Sequence, residues 1–118
     1  CQDDSVESKY LEFIREVKPL YLPKYKVKKI VTARMEKYRE ETEEWLSRYG
    51  VEYGELCMMP AETHQERQQI GFGRWKAIKY MEDKSAKLFI ESDMLQAIEI
   101  NQVTGRPVLC VDDMRLLT

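Results

Sequence analysis

Four short apolar runs, separated by segments with helical spacing, constrain this chain more than any other feature. They are YKVKKIVT at 25–32, ELCMM at 55–59, AKLFI at 86–90 and PVLCV at 107–111. Strands that alternate with helices belong to a parallel sheet, because parallel neighbours cannot be joined by a hairpin and need a helical crossover. Ile30 and Val31 are consecutive and apolar, which predicts burial on both faces of that sheet. Apolar spacing predicts helices over 5–18, 35–49, 74–84 and 93–103. The clearest is 35–49. There Met35, Tyr38, Thr42, Trp45, Leu46 and Tyr49 make one stripe, and Gly50 follows as the stop. Residues 60–73 are polar and end in glycines, which predicts an excursion with a helical turn over 62–69. The expectation is a single α/β domain over 1–118, with a Rossmann-like parallel sheet in a three-layer α/β/α arrangement.

Charge and cysteine usage exclude several classes of function. The 118 residues carry 19 basic and 21 acidic side chains, a net charge of −2, without the basic excess of a nucleic-acid binder. No apolar run approaches the ~18 residues of a membrane helix. Cys1, Cys57 and Cys110 show no CxxC spacing, so a reduced, cytoplasmic setting is expected, with Cys57 and Cys110 as small core residues. The chain begins at Cys1 without an initiator methionine and reads as the C-terminal piece of a longer one.

In an open parallel sheet, ligands bind beyond the carboxyl ends of the strands. The first run ends in Thr32-Ala33-Arg34, the third in Glu91-Ser92-Asp93 and the fourth in Asp112-Asp113. A hydroxyl and a cation suit a phosphoryl group, and carboxylates suit Mg²⁺. Each residue also has a plain structural role open to it. Thr32 and Asp93 can cap helices, and Lys76 and Lys79 can be surface lysines.

At these positions the chain resembles the haloacid-dehalogenase (HAD) superfamily of phosphatases. IVTAR at 30–34 is similar to its second signature, a strand ending in Thr or Ser. The lysine of GRWKAIKY at 73–80 resembles the third, and FIESD at 89–93 the fourth, a strand running into acids. The resemblance covers nearly the whole chain and implies specific roles. Thr32, with Ala33 and Arg34 beside it, and Lys76, with Lys79 as its rival, meet the phosphoryl group. Glu91 and Asp93 hold Mg²⁺. The implied reaction is phosphoester hydrolysis through an aspartyl-phosphate.

Two departures qualify the resemblance. Glu-Ser-Asp stands where paired aspartates are usual, and the DxDG signature that supplies the nucleophile is absent. The family's central strand carries that signature, so the sheet is expected to be truncated there. A piece lacking it is expected to be inactive and marginally stable, or to dimerise. The resemblance is closest to the phosphatase-like part of proteins fused to an orotate-phosphoribosyltransferase-like domain. The expected partners are therefore a small phosphorylated substrate and either a second copy or that fused domain. A non-catalytic regulatory module of such a fusion remains the alternative. A receiver-like domain is a third reading, disfavoured because the lysine precedes the acidic strand.

Overall fold

A computed structural model of the chain describes Glu12 and residues 22–118, which gather into units spanning Cys1–His64 and Gln65–Thr118. The helix expected over 5–18 lies outside the described residues apart from Glu12. The fold is a mixed α/β one with small parallel and mixed sheets.

In the first unit, β1 (Val27–Met35) pairs in parallel with β2 (Tyr53–Met59). The crossover is a 3₁₀ turn, Glu36–Tyr38, running into α1 (Arg39–Arg48). Leu46 of α1 packs with Leu56 and Met58 of β2 in a small core, and Ile30, Trp45, Val51 and Tyr53 surround them. Gly50 ends α1 as its position predicts. At φ +66° it takes the left-handed conformation that favours glycine, and two bonds close the helix end, Gly50 N–H to Ser47 O at 3.1 Å and Val51 N–H to Leu46 O at 2.9 Å. Val51 then packs beside Leu46, so the turn that stops the helix also directs the chain into β2. At the start of α1, Arg39 pairs with Glu36 and Glu43 and donates to the Leu56 carbonyl at 2.9 Å.

The second unit holds α2 (His64–Ile70) from Gln65 on, α3 (Phe72–Glu82), β3 (Phe89–Glu91), α4 (Met94–Thr104), β4 (Val108–Cys110) and β5 (Arg115–Leu117). β3 and β4 are parallel with α4 as crossover, and β5 returns antiparallel to β4. One core joins Ala77 and Tyr80 of α3, Ala97 and Ile100 of α4, and Val108 and Cys110 of β4. Alternation along the strands explains it: Phe89, Val108 and Leu117 share one row and help build this core. The next row, Ile90, Leu109 and Leu116, points to the other face, where Ile90 and Leu116 are exposed.

The strand ladders divide between two sheets, of two and three strands, where the sequence suggested four strands in one parallel sheet. The antiparallel β5 was not anticipated, because three residues carry too little alternation to register as a strand. Asp112 and Asp113 lie in the turn between β4 and β5. The polar excursion at 60–73 holds the helix His64–Ile70, close to the turn predicted over 62–69.

Candidate functional site

Thr32, Ala33 and Arg34 sit at the carboxyl end of β1, where the ladder to β2 is interrupted. Thr32 pairs with Met58 and Met35 with Met59, so β1 carries two extra residues between successive partners on β2. Such a bulge re-aims the backbone and is favoured beside functional sites. Ala33 is buried. Thr32 Oγ1 accepts a hydrogen bond from Arg34 N–H at 3.2 Å, a local turn that secures the bulge. A hydroxyl so engaged keeps its proton, and can still donate it to a phosphoryl oxygen. The Arg34 guanidinium lies 6.0 Å from the ring centroid of Trp45, which fixes the bulge against α1.

In the second unit, three of the sequence-derived residues come together at the carboxyl end of β3. Gly73, Ala77 and Tyr80 occupy the buried side of α3, and Lys76 lies between them in sequence with its stem drawn inward. Its Nζ is 2.8 Å from Glu91 Oε1, with the two side chains 12% and 6% exposed. The other carboxylate oxygen, Oε2, accepts from Ser92 N–H at 3.1 Å and Asp93 N–H at 3.0 Å. A buried carboxylate is tolerated only when paired and hydrogen-bonded, and Glu91 meets both conditions. Asp93 is the N-cap of α4. Its Oδ1 accepts from Leu95 N–H at 2.9 Å and Gln96 N–H at 3.3 Å. Below the turn, Cys110 Sγ donates to Ser92 O at 3.6 Å.

Lys79, the rival lysine, is turned elsewhere. It is 3.4 Å from Glu82, one turn along the same helix, and lies over the Trp75 ring at 5.9 Å. Of the two lysines, Lys76 is the one joined to the acid of β3.

Magnesium demands near-octahedral oxygen ligation. Both Glu91 oxygens already accept hydrogen bonds, one of them from an ammonium. Asp93 offers Oδ2, whose contact to Gln96 Nε2 at 3.5 Å is at the limit of a hydrogen bond. Among the described residues, no group of three or more His, Cys, Asp or Glu side chains gathers around a common point. The residues as arranged therefore do not fit a resident Mg²⁺.

Sequence reasoning missed Arg106. Its guanidinium donates to the carbonyls of Tyr80, Asp83 (3.1 Å), Lys84 (3.4 Å) and Ala86, and stacks on the Tyr80 ring at 4.4 Å. It closes the end of α3 and the loop that delivers the chain to β3, and so fixes where Lys76 and Glu91 meet. The position of Arg106, just after the glycine that ends α4, gave no signal, because its partners are 20 to 26 residues away.

Compared with known proteins, the chain matches no family model, no curated protein and no solved structure.

Proposed function

We propose that this chain is the HAD-like part of a phosphohydrolase, with a three-layer α/β/α fold that is completed in a longer parent chain. The single observation that carries the proposal is the meeting of Lys76 and Glu91. The lysine of one sequence signature and the acid of another, 15 residues on, form a buried pair at the carboxyl end of a parallel strand. Two further features support it. Thr32 lies at a bulge at the end of β1, and each unit contains a parallel β–α–β crossover.

In the proposed reaction an upstream aspartate attacks phosphorus and the alcohol leaves. Water then hydrolyses the aspartyl-phosphate. The resemblance assigns phosphate contacts to Thr32, Ala33 and Arg34 in the first unit and charge neutralisation to Lys76 in the second. Phosphoryl transfer of this kind is mostly positioning and charge neutralisation. Magnesium belongs to this proposal only in the complete parent, with Asp93 as the residue here that has an oxygen to offer, and no step is drawn through it. A cytoplasmic setting is part of the proposal. It is supported by Cys57 and Cys110, which form no disulfide among the described residues, and no described helix is long and apolar enough to cross a membrane.

A second reading is a non-catalytic regulatory module of a phosphoribosyltransferase fusion. It is favoured by the full engagement of Glu91 in local bonds. The two separate in the residues that precede Cys1 in the parent. The phosphohydrolase requires an apolar strand ending in DxDG there, and replacing its first aspartate by asparagine should abolish Mg²⁺-dependent hydrolysis of a generic phosphoester. A parent with no such aspartates, and no hydrolysis, would leave the regulatory module standing.

A further inference from the structure

We infer that Glu91 is a positioning residue that holds the Lys76 ammonium, and is not a ligand for a divalent cation. The phosphate-binding role of that ammonium rests on the proposed function; the pairing itself does not.

Glu91 is in the middle of a closed set of bonds. Oε1 faces Lys76 Nζ at 2.8 Å, and Oε2 takes the backbone N–H groups of Ser92 and Asp93 at 3.1 and 3.0 Å. At 6% exposure the carboxylate has little room for the water shell that a bound magnesium keeps. A metal at Glu91 would have to displace a cation already seated, and would leave the lysine buried without its counter-charge. The length of the side chain matters too. Glutamate is one methylene longer than the aspartate usual at this place in the family it resembles. That extra length lets one oxygen fold back onto the 92–93 turn while the other reaches α3. The glutamate thus joins α3, β3 and the start of α4 at one point. With four torsions along its stem, a lysine needs such an anchor to present its charge in one place.

The test compares wild type, Glu91→Gln and Glu91→Asp in the 118-residue chain, with two readouts that need no activity. The first is the NMR signal of the Lys76 ammonium, assigned by its loss in Lys76→Met. The second is calorimetric titration with Mg²⁺ alone. Positioning predicts that both Glu91 variants shift or broaden away the Lys76 signal, while their Mg²⁺ titrations match wild type, whether bound or flat. A Lys76 signal unchanged in both variants would overturn it. So would Mg²⁺ affinity that falls tenfold or more in Glu91→Gln, or rises in Glu91→Asp, the outcomes expected of a metal ligand. A variant that fails to fold is replaced by the pair Lys76→Met and Lys76→Met/Glu91→Gln. Positioning then predicts that the double variant melts at or above the single one, because the buried carboxylate is no longer left unpaired. A double variant that melts below Lys76→Met would overturn the pairing. Failure of the phosphohydrolase proposal would show separately, as absent hydrolysis in the parent with both readouts intact.

Discussion

Arg106 shows how much one side chain can carry in a small unit. Its bonds to four carbonyls come from a charged donor, and bonds of that kind contribute about 1.5–3 kcal/mol each to stability. Several share one guanidinium, so their effects do not add. Arg106→Ala is expected to lower unfolding free energy in urea by roughly 2–4 kcal/mol. Arg106→Lys should recover little of it, since an ammonium cannot span the fork. Tyr80 gives a pH signature at the same spot. Its hydroxyl donates to Pro107 O at 2.8 Å, and burial pushes its phenol above the ordinary value of 10.0, against the opposing pull of Arg106. A group whose pKa is raised by folding stabilises the fold fully below its unfolded value, and that contribution is lost as pH rises through the folded one. Stability should therefore decline above pH 10.0. Tyr80→Phe should flatten that decline, while lowering stability at neutral pH by about 1 kcal/mol. Equal alkaline slopes in urea melts of the two proteins would contradict the assignment.

Among the elements, the β1–β2 ladder sets a steric limit that no side chain can relieve. Gly54 lies where a Cβ would meet the Lys28 carbonyl oxygen at 2.5 Å, and that oxygen belongs to backbone held in the sheet. Gly54→Ala is expected to destabilise the chain by roughly 1–3 kcal/mol, read as a lower denaturation midpoint. Gly50→Ala acts differently, through strain at positive φ with open space around it, and should cost about 1–2 kcal/mol. The elements were largely legible in the sequence. Helix α1 was marked by its stripe and by Gly50, and β1 and β2 by their apolar runs. What stayed hidden was non-local. Residues 86–88 were expected to be strand, but the loop there is tied down by Arg106 and the ladder begins at Phe89. The bulge at Thr32 depends on a register with β2 that no local pattern encodes. At the site, residue types at the strand ends were legible, but their engagement was not. Spacing could suggest Glu91 and Asp93 as ligands. The cap role of Asp93 was equally open from its position before the helix, whereas the pairing of Glu91 with a lysine 15 residues back was not.

At the scale of the whole molecule, the fold supplies two β–α–β pieces, with Thr32 near the end of β1 in one and Glu91 at the end of β3 in the other. Lys76, paired with Glu91 in the second unit, is the residue to question. The deciding measurement is the steady-state rate of Mg²⁺-dependent phosphoester hydrolysis by the complete parent chain, compared with its Thr32→Ala, Lys76→Ala and Lys79→Ala variants. The expected result is a loss of about 10²–10³ in kcat for Lys76→Ala, the scale seen when one preorganised charge-stabilising group is removed, with a smaller loss for Thr32→Ala and a near-normal rate for Lys79→Ala. Full activity in both lysine variants would contradict the account.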